Sequence, residues 1–93
     1  MNTALVEAFV AAVNATVAAR AAHKDTRSNG NETNYTKAET ASAALEDALT
    51  ALSDALISSG HLTAAARTSK VISRTKLKQE HYKKQKDKLK GKT

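Results

Sequence analysis

Leu45, Leu49, Leu52 and Leu56 recur at steps of four, three and four. At 3.6 residues per turn that spacing puts all four on one stripe of an α-helix. Ala38 and Ala41 extend the stripe upstream, while Glu39, Glu46, Asp47, Thr50, Ser53 and Asp54 fall on the other side. Thr36-Lys37-Ala38-Glu39 reads as a capping box, and Ser58-Ser59-Gly60 as a stop with Gly60 in a left-handed conformation. The pattern predicts a helix over about 37–58. No proline interrupts the 93 residues, which suits long unbroken helices.

A second helix is expected over about 3–23. Its large side chains, Leu5, Val6, Phe9, Val10, Val13 and Val17, share one arc of about 140° and are candidates for the core face. The other side is lined by Ala4, Ala8, Ala11, Ala15, Ala18 and Ala22, an alanine seam expected to serve self-association because alanine lets two backbones approach closely. Residues 24–36 lack apolar periodicity and contain Asn29-Gly30-Asn31, so they read as a loop. Two glycosylation sequons there, at Asn31 and Asn34, are read as coincidence. No basic residue precedes the apolar run of residues 2–22, so no signal peptide is expected; Glu7, Asn14 and Arg20 within it argue against a membrane span.

After Gly60 the chain restarts, with Thr63 as the expected N-cap of a third helix whose apolar part covers about 63–73. Beyond Arg74 the only apolar line is sparse: Val71, Tyr82 and Leu89, an interaction seam for a partner. The expected fold is all-α: an antiparallel helical hairpin plus a third, basic C-terminal helix, packed in a small bundle or oligomer. Residues 1–73 would form the body, and 74–93 a basic helical extension or tail. With only three aromatics to fill a core, the body is expected to be a homo-oligomer.

Charge divides the chain. Residues 1–66 carry four Lys/Arg against seven Asp/Glu; residues 67–93 carry eleven against Glu80 and Asp87. The basic groups are Arg67, Lys70, Arg74, Lys76, Lys78, Lys83, Lys84, Lys86, Lys88, Lys90 and Lys92, the expected contacts to an anionic partner. Nothing points to catalysis. His23, His61 and His81 have no second ligand at three- or four-residue spacing, so no metal is expected. Glu46 and Asp47 are adjacent and diverge by about 100° on a helix. The serines and threonines lack a His–acid pair, and the three glycines are isolated, so neither a triad nor a phosphate-cradling loop is present and no cofactor is expected.

The sequence therefore predicts a non-enzymatic binding protein whose C-terminal segment engages nucleic-acid backbone without sequence specificity; lysine is a point charge, and the segment has one aromatic for stacking. The alternative is an assembly protein that docks the basic helix on an acidic protein surface. Alanine-rich helices followed by a basic helix resemble, in outline, small scaffolding and virion-internal proteins of bacteriophages. Either role implies a cytoplasmic protein or one held inside a nucleoprotein or virion assembly; a membrane partner fits the thin apolar line poorly.

Overall fold

Three helices of nearly equal length make up the chain: α1 (Thr3–Ser28), α2 (Glu32–Ser58) and α3 (Leu62–Lys90). They are seen in a computed structural model that describes residues 2–91. Equal lengths and three-residue connections force neighbours in sequence to run antiparallel, so α2 lies between α1 and α3. No Cα pair between α1 and α3 comes within 8 Å among the described residues. The bundle measures 53 × 18 × 14 Å and is open along one side.

Side-chain capping draws the ends tight. Asn2 accepts from the Leu5 amide and donates to Ser59 Oγ at 2.6 Å, tying the start of α1 to the end of α2. Asn31 accepts from the Asn34 amide, and Asn34 Nδ2 donates to Asn29 O at 2.8 Å and to Asp25 O at 3.3 Å. The loop expected over 24–36 is therefore only residues 29–31, and both sequon asparagines hold it closed. The Thr36 box is not used: Thr36 lies inside α2, and Glu39 reaches Lys86 instead. His61, not Thr63, precedes α3, without a side-chain cap. Gly60 has φ +80°, the left-handed value expected of it.

Heptad-like seams join the helices. The seam of α1 runs through Leu5, Ala8, Ala12, Ala15, Ala19, Ala22 and Thr26, all small but Leu5, at alternating steps of three and four, with Thr16 and His23 half-buried beside it. Ala12 packs with Leu49 and Leu52, flanked by Leu5, Ala8, Leu45, Leu56 and Ile72. A second cluster joins Ala22, Ala38 and Tyr82, with Tyr35 and Ala41 beside it. Small residues on α1 thus receive the leucines of α2, a large-on-small pairing that fills space without overpacking. This reverses the expected orientation of α1: Val6, Phe9, Val10, Val13 and Val17 are exposed, Phe9 at 58% and Val17 at 64%.

α3 differs most from expectation. It does not protrude beyond residue 73 but stays packed along α2 through Ala65, Thr68, Ile72, Thr75, Gln79, Tyr82, Lys86 and Leu89. This too is a three-four seam, and half of its members are polar. Each polar member finds a partner or a local bond. Thr75 donates to Val71 O, Gln79 donates to Glu46 Oε2, and Lys86 Nζ lies 3.0 Å from Glu39 Oε2. Tyr82, 2% exposed, is the largest fully buried side chain.

Candidate anion-binding face

The basic residues of α3 fall into two groups once their positions around the helix are fixed. Arg67, Lys70, Arg74, Lys78, His81 and Lys88 share one flank, within an arc of about 80° and over a length of about 32 Å. All six are exposed. None has an Asp or Glu three or four residues away along α3. Glu80 and Asp87, seven residues apart, both lie on the opposite flank with Lys76 and Lys83, and each is within four residues of Lys83 and Lys84. One side of the helix is therefore charge-balanced, and the other carries five Lys/Arg and His81 with no carboxylate among them.

The cationic flank faces the open side of the bundle. There Arg74 and Lys78 stand across from Arg20 and His23 of α1, over a floor that includes Ser42 and Leu45 of α2. The acids of α2 lie elsewhere. Glu39 and Glu46 reach α3 through Lys86 and Gln79 on its seam, and Glu32 lies 3.7 Å from Lys90 with both side chains 57% exposed. That last pair is solvated and contributes little.

Not every residue expected to bind an anion is placed to do so. Lys86 is half-buried against Glu39, and Lys90 is paired with Glu32. Lys76, Lys83 and Lys84 are exposed beside the acids of their own helix. Lys92 lies outside the described residues. Conversely, Arg20 and His23 on α1 belong to this face and were invisible to a reading centred on the C-terminal segment. They become visible only when α1 is laid parallel to α3.

Tyr82 and Leu89, expected to meet a partner, are turned inward, and Val71 lines the gap beside Arg74. The alanine line of α1 is split: Ala8 and Ala22 pack within the bundle and Ala15 is half-buried, whereas Ala4, Ala11 and Ala18 are exposed.

A hydrogen bond spans the open side. His23 Nδ1 lies 2.6 Å from the Tyr82 hydroxyl, and the rings are tilted at 5.8 Å between centroids. Burial lowers the His23 pKa below its ordinary 6.5, helped by the positive charges of Lys78, Arg27 and His81; burial raises that of Tyr82. A neutral imidazole accepting the phenolic proton at Nδ1 satisfies both groups and leaves Nε2–H as a donor.

Among the described residues no three His, Cys, Asp or Glu side chains come together as a metal site. α1 is long and apolar enough, by length and composition, to cross a membrane; here its Ala12 and Ala22 face is packed on α2. The chain matches no protein-family model, and it matches neither a curated protein nor a solved structure.

Proposed function

We propose that this protein is a non-enzymatic binding module that takes nucleic-acid backbone along the cationic flank of α3, without reading base sequence. The observation that carries the reading is the segregation of charge on α3: six basic side chains on one flank, no carboxylate among them, and Arg20 added from α1. A length of about 32 Å is close to one turn of duplex, so a straight helix meets several phosphates at once. Both tyrosines are poorly placed to stack on bases, since Tyr82 is buried and Tyr35 half-buried; the one exposed aromatic among the described residues, Phe9, lies in the valine arc of α1. The contact is therefore with phosphate, and it is insensitive to sequence.

The test is the salt dependence of duplex DNA binding by fluorescence anisotropy. Contact with about six phosphates lowers affinity by roughly 10³ between 50 and 200 mM salt, equally for unrelated sequences. Binding that ignores salt, or that prefers one sequence strongly, overturns the reading. So does binding to anionic lipid vesicles with none to DNA.

A second reading, an assembly protein that associates with its own copies, is favoured by one specific observation. Val6, Phe9, Val10, Val13 and Val17 form a contiguous exposed apolar arc over three turns of α1, larger than scattered surface residues explain. The two readings are compatible, because the arc occupies the N-terminal half of α1 and the cations its C-terminal half.

A further inference from the structure

The gap between α1 and α3 has a cationic end, where Arg20 and His23 of α1 meet the cationic flank of α3. It encloses about 400 Å³, a volume in the range of small-molecule sites. Arg20 and His23 stand on one wall, Arg74 and Lys78 on the other, and Leu45 and Val71 give the interior an apolar surface. No carboxylate lines it, and Arg20, Arg74 and Lys78 make no ion pair among the described residues.

Three uncompensated cations facing one another across a partly enclosed gap repel, and an anion between them relieves that repulsion. The hydroxyls of Thr16 and Thr75 already donate to Ala12 O and Val71 O, so they offer the ligand no proton. The donors left are Nζ of Lys78, the two guanidinium forks and His23 Nε2–H from both walls, with the Ser42 hydroxyl on the floor. Donors on opposite walls suit a tetrahedral dianion better than a flat carboxylate, which one fork alone satisfies.

We infer that this end of the groove is a binding site for a single phosphate group carried by a small organic molecule, a phosphomonoester, with its organic part against Leu45 and Val71. The site goes beyond backbone binding, since it needs no polymer, and its occupant is held by Arg20 of α1 as much as by α3.

The experiment is a chemical-shift titration of the full chain with inorganic phosphate and with phenyl phosphate at constant ionic strength, following the His23 imidazole. Saturable one-to-one binding is expected, with phenyl phosphate the tighter by about tenfold because its ring covers apolar surface. Arg20→Gln should weaken phenyl phosphate by about tenfold or more; Lys88→Gln, outside the pocket, should leave phenyl phosphate unchanged while it weakens duplex DNA. Shifts that never saturate, an unchanged phenyl phosphate affinity in Arg20→Gln, or equal losses of phenyl phosphate and DNA in Lys88→Gln, overturn the site. Failure of the wild-type chain to bind DNA would overturn the backbone reading alone, because the phenyl phosphate arm does not depend on it. Both variants change exposed side chains, and their helical circular dichroism verifies the fold.

Discussion

The Tyr82 hydroxyl sits 2.6 Å from Nδ1 of His23, a bond between α1 and α3, no Cα pair of which comes within 8 Å among the described residues. Removing the hydroxyl leaves a partly shielded imidazole nitrogen without its partner. Tyr82→Phe should cost about 1 kcal/mol. For a chain of this size that is roughly 4–8 °C in Tm. Tyr82→Ala adds a cavity at the second core cluster and should cost about 3–5 kcal/mol, read by thermal or urea denaturation.

Stability should fall as pH drops through His23's ordinary value of 6.5. The folded state holds a lowered pKa, so the unfolded chain binds the proton first; stability is complete above 6.5 and declines until the folded histidine also charges. The groups facing it, Lys78, Arg27 and His81, are all basic, and none offsets the charge. His23→Gln should flatten this part of the profile in urea melts taken at about pH 7.5 and pH 5. A slope that survives the substitution would assign it to other groups.

Gly60 can be tested for conformation alone. It has φ +80°, and a Cβ there would meet nothing within 4 Å. Gly60→Ala should therefore cost about 1 kcal/mol from backbone strain without a clash, and Gly60→Asn less. Equal stability of all three proteins would contradict the turn.

A chain ending at Ser73 should lose more than a tail. It lacks Thr75, Tyr82, Lys86 and Leu89, and with Tyr82 goes the centre of the second cluster. Its thermal unfolding should broaden or disappear, where a body with an independent tail would melt as before.

Phe9→Asp addresses the apolar arc. If copies associate through it, light scattering should report a species larger than one chain for the wild type and a single chain for the variant. The variant's melting in dilute solution should change by less than about 0.5 kcal/mol, since Phe9 is exposed.

The leucine stripe of α2 was plain in the sequence because apolar periodicity alone defines it. The rest was harder for identifiable reasons. In α1 both the valine arc and a small-residue line repeat at helical spacing, and only the leucines of α2, which need small partners, select between them. In α3 the seam runs through Thr68, Thr75, Gln79 and Lys86, residues that an apolar pattern skips. The loop contracted because Asn29, Asn31 and Asn34 supply the caps that let both helices lengthen. The basic segment was legible as charge. Its division into two flanks was also written there, in the seven-residue spacing of Glu80 and Asp87, but its alignment with Arg20 depended on packing.

The claim that one flank of α3 carries the binding is tested most directly by two charge-matched variants. Lys70→Gln/Lys88→Gln removes two charges from the cationic flank, and Lys76→Gln/Lys83→Gln removes two from the balanced one. The measurement is duplex DNA affinity by anisotropy at about 50 mM salt. The first pair should weaken binding by about tenfold or more and lower the salt slope by about 2; the second should do so by less than about threefold. Equal losses from the two pairs would mean that only net charge matters, and would contradict the assignment of the site to that flank.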